Sequence, residues 1–232
     1  MPRLDNLTVV PKVKGVADIV FCIDITGSMG PCIVGVLDNL KHLAEGFGAA
    51  NVSLDWKAKA VGYRDVDASG TPFEGFDNPF TSNIDDLKAQ FDRFEASGGG
   101  DEPESLFDAM LKIATAGDWP HPVGAALRTI VVFTDASPHG QLSASLWTGD
   151  LSFNRVSSEL RKAHTKLFLN APEHPNYNSF SALLGGDCRY SSLGTTRTEV
   201  LSKLQTQGFD QLLLSLGKTV SAMSVATATA TI

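Results

Sequence analysis

Apolar residues along the chain fall into two alternating patterns, one typical of strands and one typical of helices. Residues 17–24 (ADIVFCID) and residues 128–135 (RTIVVFTD) are nearly unbroken apolar runs, and each ends in an aspartate. Such runs predict strands that are buried on both faces of a sheet. Residues 167–169 (LFL) predict a third, shorter buried strand, whereas apolar and polar residues alternate over residues 52–60 as in a half-exposed strand.

Helical spacing of apolar residues fills the intervals between the predicted strands. Residues 31–47 place apolar side chains on one stripe of a helix, and residues 83–94, 103–116 and 153–165 predict further helices. Residues 199–220 predict one broken helix or two consecutive helices. Because strands alternate with helices, we predict the α/β class: a doubly wound, mostly parallel central sheet with helices on both faces.

The length of 232 residues suits one large α/β domain. We predict an N-terminal extension over residues 1–16 and the domain itself over residues 17–223. Residues 224–232 (SVATATATI) are rich in alanine and threonine and show no apolar pattern that would place them in a core. We therefore expect a tail or a linker there.

Composition and charge narrow the classes of partner and the compartment. The net charge is −7, from 26 acidic and 19 basic residues, and the chain has no lysine/arginine run, so we expect no nucleic-acid partner. Cys22, Cys32 and Cys188 form neither a disulfide framework nor a zinc-binding pattern. The sequence shows no signal-peptide pattern and no apolar run of membrane-spanning length, so we expect a cytoplasmic protein with no membrane partner.

The two aspartates that end the buried strands are the starting point for the chemistry. In open α/β sheets, ligands bind beyond the carboxyl ends of the parallel strands, and Asp24 and Asp135 each stand at such an end. Thr26 and Ser28 follow Asp24 at alternate positions, so all three side chains can face the same way. Carboxylates and hydroxyls are hard oxygen ligands, which favour Mg²⁺, Mn²⁺ or Ca²⁺ over softer metals.

This pattern resembles a known family. The Asp-x-Thr-x-Ser sequence of residues 24–28, with a later strand that ends in residues 134–135 (TD), resembles the metal-ion-dependent adhesion site of von Willebrand factor A domains. Residues 62–65 (GYRD), 98–104 (GGGDEPE) and 135–140 (DASPHG) are similar to the intracellular branch of the family, which includes the domain attached to some alpha-kinases. The resemblance implies a Rossmann-like fold with one short antiparallel edge strand.

The resemblance also implies a set of metal ligands. The first loop would supply Asp24, Thr26 and Ser28, and the later strand would supply Asp135. The family usually adds a threonine from the loop between the second and third helices, where this chain has a glycine run followed by Asp101. Asp101 is therefore the candidate for the remaining ligand. Asp101 and Glu104 also have the spacing of a helix capping box, so the ligand and cap roles both stay open.

A binding module, and not an enzyme, is the function that the resemblance implies. A cation with an open coordination position can take a carboxylate from a protein partner, and such charge-assisted contacts are strong and directional. We therefore expect a partner that offers an aspartate or a glutamate. Intracellular members of the family are commonly found in multiprotein assemblies, often beside ATPases, and the resemblance implies such a setting here.

Two other functions and two local interpretations stay open at this stage. A phosphotransferase of the haloacid-dehalogenase type would use Asp24 as its nucleophile, and a scaffold would keep only a vestigial metal site. Arg64 and Asp65 are either an internal salt bridge or contacts for a partner. We interpret His139, beside a proline, as a turn residue and not as a ligand.

Overall fold

Six strands form one sheet in the computed structural model, which describes residues 15–48, 54–99, 102–205 and 208–230. The strands are β1 (Gly15–Asp24), β2 (Leu54–Tyr63), β3 (Phe73–Glu74), β4 (Leu127–Phe133), β5 (Thr165–Ala171) and β6 (Cys188–Ser192). The helices are α1 (Gly30–Gly48), α2 (Ile84–Phe91), α3 (Leu106–Thr115), α4 (Phe153–Lys162), α5 (Pro175–Leu184), α6 (Arg197–Gln205) and α7 (Gly208–Ala230).

The strand order is β3-β2-β1-β4-β5-β6, and the sheet is mostly parallel. Strand β1 pairs in parallel with β2 on one side and with β4 on the other, and β5 and β6 continue the parallel part. The two-residue strand β3 pairs with β2 in the antiparallel direction at the edge. The predicted fold class, with its short antiparallel edge strand, is confirmed.

The unbroken apolar runs of β1 and β4 are explained by their central place in the sheet. Successive side chains of a strand point to opposite faces, and helices cover both faces here. Ile19 and Phe21 pack into the core on one side of β1, while Val20 and Cys22 pack into the core on the other side. Every residue of β4 is buried.

The two cores also show which helices cover each face. Helices α1, α2, α6 and α7 contribute their buried apolar side chains to the core that contains Phe21. Helices α3, α4 and α5 contribute to the core that contains Cys22. Helices on both faces of a parallel sheet are the doubly wound arrangement that the alternation of patterns predicted.

Some element boundaries differ from the prediction. Helix α3 begins at Leu106 and not at residue 103, because the backbone of Glu104 is hydrogen-bonded to the loop after β4: its amide donates to the Ser137 carbonyl (2.9 Å) and its carbonyl accepts from the His139 amide (3.1 Å). The weakly patterned elements α5 and β6 were not predicted from the sequence, and the predicted antiparallel edge strand had not been assigned to the residues of β3. The exposed, polar residues of β6 explain the missing signal there.

The ends of the predicted domain differ in how far the structure describes them. Strand β1 begins at Gly15, and residues 1–14 of the predicted extension lie outside the described residues. Helix α7 continues past residue 223 to Ala230, and Ser224 is buried. None of the described helices combines the length and the apolar character that crossing a membrane requires.

Helices α1 and α7 approach each other closely at two glycines, which yields a prediction. A Cβ on Gly217 would lie 2.5 Å from the Leu43 carbonyl oxygen and 3.0 Å from Gly46 Cα, so the helices would have to separate. We expect Gly217→Ala to lower the free energy of unfolding by about 1–3 kcal/mol, although alanine has the higher helix propensity. Urea unfolding measures the change.

Gly186→Ala is the matched control for this substitution, because no heavy atom lies within 4 Å of the Cβ position at Gly186. That variant should unfold at nearly the wild-type urea concentration. Equal stability of Gly217→Ala and Gly186→Ala would contradict the close packing of α1 and α7.

Candidate metal centre

The predicted site residues lie where the direction of the chain connections changes in the sheet. From β1 the chain passes to β2 on one side, whereas β4 pairs with β1 on the other side. Asp24 is the last residue of β1, and Thr134 and Asp135 directly follow β4. Such a switch point at the carboxyl ends of parallel strands is the usual ligand position in open α/β sheets.

Asp24 is fully buried and is held by three hydrogen bonds. Its Oδ1 atom accepts from the Thr26 amide (3.0 Å) and from Thr26 Oγ1 (2.7 Å), and its Oδ2 atom accepts from Thr134 Oγ1 (2.8 Å). Each hydroxyl donates its proton to the carboxylate, so its lone pairs point elsewhere. Asp24 therefore orients two hydroxyls at the end of the sheet.

The first loop brings its two hydroxyl groups together. Thr26 Oγ1 and Ser28 Oγ are 3.3 Å apart, and residues Gly27–Met29 form a short 3-10 turn. Thr26 is buried, Ser28 is half-buried and Gly27 is exposed. The site is thus open to solvent on the side of Gly27 and Ser28.

Asp135 presents a buried carboxylate without an aligned donor. Its side chain is inaccessible to solvent, and neither oxygen accepts a well-aligned hydrogen bond from the described part of the chain. Arg197 Nε lies 3.3 Å from Oδ2, which is ion-pair distance. Burial raises the pKa of Asp135, and the nearby Ser28 hydroxyl and the Arg197 charge oppose this shift.

The electrostatics of Asp24 follow from the same geometry. Burial raises the pKa of Asp24 to about 6, and the negative charge of Asp135 adds to the shift. The hydrogen bonds from Thr26 and Thr134 stabilise the charged form and limit the rise. A cation between the two carboxylates would offset the free-energy cost of burying their charges and would reduce the repulsion between them.

The glycine run places its loop directly against the first loop. The Gly27 amide donates to the Gly98 carbonyl (2.9 Å), and the Ser97 amide donates to the Ile25 carbonyl (3.2 Å). Gly99 has a φ of +68°, and a Cβ there would lie 2.6 Å from Thr26 Cβ. Only glycine fits this position, because the backbone approaches Thr26 closely and has a left-handed conformation.

The roles predicted for Asp101 and Glu104 have different outcomes. Asp101 lies outside the described residues, so its role as the remaining ligand stays a prediction. The capping role of Glu104 is wrong, because α3 begins at Leu106 with Ser105 in the N-cap position. Glu104 instead lies before the helix, with a side chain that points into the buried site.

Glu104 is the site residue whose position sequence reasoning missed. It is only 2% exposed, and its Oε2 atom has no partner in the described structure. Burial raises its pKa to about 8, and the charges of Asp24 and Asp65 add to this rise. The spacing of Asp101 and Glu104 is typical of a capping box. That spacing gives no information on the direction of the glutamate side chain in the folded chain.

Arg197 and Glu102 form an ion pair at the rim of the site. Arg197 Nη2 donates to Glu102 Oε1 (3.0 Å), while Glu102 Oε2 accepts from the amide (3.0 Å) and the hydroxyl (2.7 Å) of Ser137. Arg197 also pairs with Asp135, so its charge partly compensates the site. The sequence pattern gave no signal for Arg197, which lies 62 positions after Asp135 at the start of α6.

The interpretation of Arg64 and Asp65 as a mutual salt bridge is wrong. Arg64 is buried and pairs with Glu74 (2.6 Å), and its guanidinium also donates to the carbonyls of Ser97 (2.9 Å) and Glu95 (2.7 Å). Arg64 therefore anchors the loop before the glycine run. Asp65 instead accepts from His139 Nε2 (2.8 Å).

Asp65, Asp67 and His139 form a second group of possible metal ligands. Each offers one ligand atom, and these atoms lie within 4.8 Å of one another. Hydrogen bonds account for the cluster, since Asp65 Oδ1 accepts from His139 and Asp67 Oδ1 accepts from Ser143 Oγ (3.0 Å). His139 is therefore part of an acidic, hydrogen-bonded rim beside the main site.

The donor atoms of the main site fit a hard divalent cation. They are the carboxylate oxygens of Asp135, Glu104 Oε2 and the hydroxyls of Thr26 and Ser28. Oxygen ligands of this kind suit Mg²⁺, Mn²⁺ and Ca²⁺. Buried carboxylate oxygens without hydrogen-bond donors cost free energy, and Arg197 compensates only part of the charge of Asp135, so a cation would stabilise these oxygens further.

Comparisons with known proteins agree with the fold. No protein-family model matches the chain. The alpha-protein kinase vwkA of Dictyostelium discoideum is 27% identical over 123 residues, which is 53% of this chain and 19% of that protein. This match supports in part the predicted resemblance to the domain found with some alpha-kinases.

Two solved structures of proximal thread matrix protein 1 from the mussel byssus are also similar. One covers 90% of this chain with a TM-score of 0.55 and 16% identity, and the other covers 89% with a TM-score of 0.54 and 12% identity. The chain spans 48% and 49% of those two chains, about half of each. At these identities the likeness shows the fold alone: an α/β domain with a mostly parallel, Rossmann-like sheet.

Proposed function

We propose that the chain is a von Willebrand factor A-type module that binds a protein partner through a divalent cation. Mg²⁺, Mn²⁺ or Ca²⁺ would lie at the ends of β1 and β4 and would take an acidic side chain of the partner. The observation that carries this proposal is the buried carboxylate of Asp135, which accepts no well-aligned hydrogen bond among the described residues, beside the hydroxyls that Asp24 orients.

Each residue of the site has a distinct task in this proposal. Asp135, Thr26 and Ser28 would hold the cation, and Asp24 would fix the hydroxyl of Thr26 so that its lone pairs face the cation. The cation would supply the positive charge that pairs with a carboxylate of the partner. The partner would approach from the exposed side at Gly27.

The geometry supports binding without turnover. Both oxygens of Asp24 accept hydrogen bonds and the residue is fully buried, whereas the nucleophile of a phosphotransferase has to reach the phosphorus atom. Phosphoryl transfer also needs basic groups that hold the phosphates. Among the described residues near the site, Arg64 is paired with Glu74, His139 with Asp65, and Arg197 with Glu102 and Asp135.

A scaffold with a vestigial metal site is less well supported than an occupied site. Buried carboxylate oxygens without partners cost free energy, and a chain that no longer bound a cation would gain stability by losing them. Asp135 and Glu104 both retain such oxygens. The setting of the module is a further part of the proposal: an intracellular, multiprotein assembly, with an ATPase as one candidate member.

Asp135→Asn tests the cation site directly. The substitution keeps the shape of the side chain and removes its charge, so we expect Mg²⁺ affinity to fall by roughly tenfold or more. Isothermal titration calorimetry measures the affinity, and circular dichroism checks that the variant is folded.

Asp18→Asn is the matched control, because Asp18 is a fully buried aspartate on the same strand β1 as Asp24. It pairs with His121 Nδ1 (2.8 Å), far along the strand from the predicted ligands. The Mg²⁺ affinity of Asp18→Asn should equal that of the wild type. The cation site would be refuted by wild-type affinity in Asp135→Asn.

The pH dependence of cation binding follows from the pKa of Asp24, which burial raises to about 6. The charged form of Asp24 attracts the cation and orients Thr26, so binding is favoured above this pKa and weakens as the pH falls below it. We expect Mg²⁺ affinity to fall roughly tenfold between about pH 7 and about pH 5. Calorimetric titrations across this range measure the trend, and a constant affinity would argue against a role for Asp24.

Peptide selection tests whether the cation captures an acidic group. A random peptide display library is selected on the immobilised chain in Mg²⁺ and, in parallel, on Asp135→Asn. We expect the wild type to enrich peptides that contain aspartate or glutamate and that a chelator releases. Enrichment of the same peptides on both proteins, or their retention in chelator, would show that binding does not use the cation.

A further inference from the structure

A cavity of about 440 Å³ lies at the end of the sheet opposite the candidate metal centre. It is lined by Leu127 at the start of β4, Lys166 near the start of β5 and Asp187 just before β6. Asp135 follows the other end of β4, so the cavity shares no residue with the proposed cation site. Its volume is in the range of small-molecule sites in proteins.

The basic side chains of the cavity come from one short segment. Arg161, His164 and Lys166 all line it, and they lie where the end of α4 leads into β5. Asp187 is the single acidic side chain among the described residues of the lining. The cavity wall is therefore basic, although the chain carries a net charge of −7. A local excess of positive charge attracts anions.

Two of these basic side chains keep hydrogen-bond donors for a ligand. Arg161 donates from Nη2 to the Leu183 carbonyl, while its Nε and Nη1 atoms have no partner in the part of the chain that the structure describes. The ring of His164 likewise has no hydrogen bond or ion pair to a described residue. Guanidinium groups bind phosphate oxygens through several N–H donors. The free donors of Arg161 are therefore suited to an oxyanion.

His164 has a backbone conformation that favours glycine. It follows Ala163, the C-cap of α4, and has a φ of +51°. Among the described residues it is the only one other than glycine with a positive φ. Glycine is the usual residue directly after a helix in this conformation, because a side chain adds steric strain. Strained residues cluster at binding sites, and this one places its ring at the cavity.

The ion pair of Lys166 with Asp187 bears on which anion can bind. The two side chains are 31% and 37% exposed, so a ligand can reach both. An incoming anion competes with the Asp187 carboxylate for the Lys166 ammonium group. A second carboxylate has no advantage in charge, whereas a phosphate monoester carries about −1.5 to −2 at pH 7. The pair therefore favours phosphates over carboxylates.

The remaining wall of the cavity is apolar. Ala126 and Leu127 line it beside Gly124, which adds no polar side chain. A ligand that combines a charged group with a less polar organic part would contact both kinds of wall. A phosphate ester has this character, and inorganic phosphate supplies the charged part alone.

We propose that this cavity binds a small phosphate ester, with Arg161, His164 and Lys166 as the donors to the phosphate group and Asp187 as a competing carboxylate. The site lies at the other end of the sheet from the candidate metal centre, so the inference is independent of the proposed function. The organic part of the ester would lie against Ala126 and Leu127.

Nuclear magnetic resonance titrations test the site with inorganic phosphate and phenyl phosphate as probes. The protein is kept in chelator, so that no cation at the other end of the sheet can hold phosphate, and the ionic strength is constant. We expect both probes to shift the amide signals of residues 161–166, and phenyl phosphate to bind about threefold more tightly. Absence of these shifts overturns the proposal, and equal affinity for the two probes overturns the contact of the ester with the apolar wall.

Arg161→Gln removes a donor from the cavity, and Lys162→Gln is its matched control. Lys162 is the next residue, carries the same charge and pairs with Glu159 away from the lining. We expect phosphate affinity to fall about threefold to fivefold in Arg161→Gln and to change by less than about 1.5-fold in Lys162→Gln. Equal losses would show that the probe responds to surface charge in general, which overturns a built site.

Asp187→Asn gives a result that misfolding cannot imitate. The substitution removes the competing carboxylate and leaves Lys166 free for the ligand, so we expect phosphate affinity to rise about threefold. Acetate should bind the wild type more weakly than phosphate. Unchanged or weaker phosphate binding in Asp187→Asn would refute the competition, and equal binding of acetate and phosphate would refute the preference for phosphates.

His164→Gly separates a ligand role from a structural role. Glycine relieves the strain at the positive φ, so the variant should unfold in urea at or above the wild-type concentration. The lost ring should lower phosphate affinity about twofold or more. Wild-type phosphate affinity in this variant would overturn the role of His164 as a donor.

Discussion

The hydrogen bond from Thr134 Oγ1 to Asp24 Oδ2 (2.8 Å) joins the ends of the two central strands, and the rest of the site depends on it. It exists because β1 and β4 are paired in parallel and end at the same height, with Ile23 opposite Phe133. One oxygen of Asp24 is thus used to connect the strands, and the other holds the first loop through Thr26. A single buried carboxylate thus fixes both the strand ends and the direction of the Thr26 hydroxyl.

A second constraint is the negative charge that accumulates where several carboxylates are buried close to Asp24. Asp24, Asp135 and Glu104 are all at most 2% exposed at the same end of the sheet. Burial disfavours the charged form of each residue, and their mutual repulsion adds to that effect. The polypeptide offsets part of it with Arg197 and with hydroxyl donors, and the proposed cation would offset the remainder.

The sequence predicted the parts of this arrangement that strands control, and it failed where loops decide. Asp24 and Asp135 terminate apolar runs, so their meeting at one edge follows from the parallel pairing of β1 and β4. Glu104 and Arg197 belong to loop and helix starts whose direction depends on contacts distant in sequence, such as the bonds of Glu104 to the loop after β4. The same limit explains why Arg64 pairs with Glu74 and not with its neighbour Asp65.

Strand β1 carries two fully buried aspartates, Asp18 and Asp24, and their surroundings differ. Asp18 accepts from the His121 ring (2.8 Å) and from the His121 amide (3.2 Å), and Arg128 in turn binds the His121 carbonyl (2.6 Å). Both oxygens of Asp18 thus accept hydrogen bonds from protein groups. At the Asp24 end, the neighbouring carboxylates keep oxygens without partners, although the two ends share the same strand and the same degree of burial. Both aspartates are fully buried and both accept hydrogen bonds, so the two ends of β1 differ in the carboxylates that surround them and not in the pairing of the aspartates themselves.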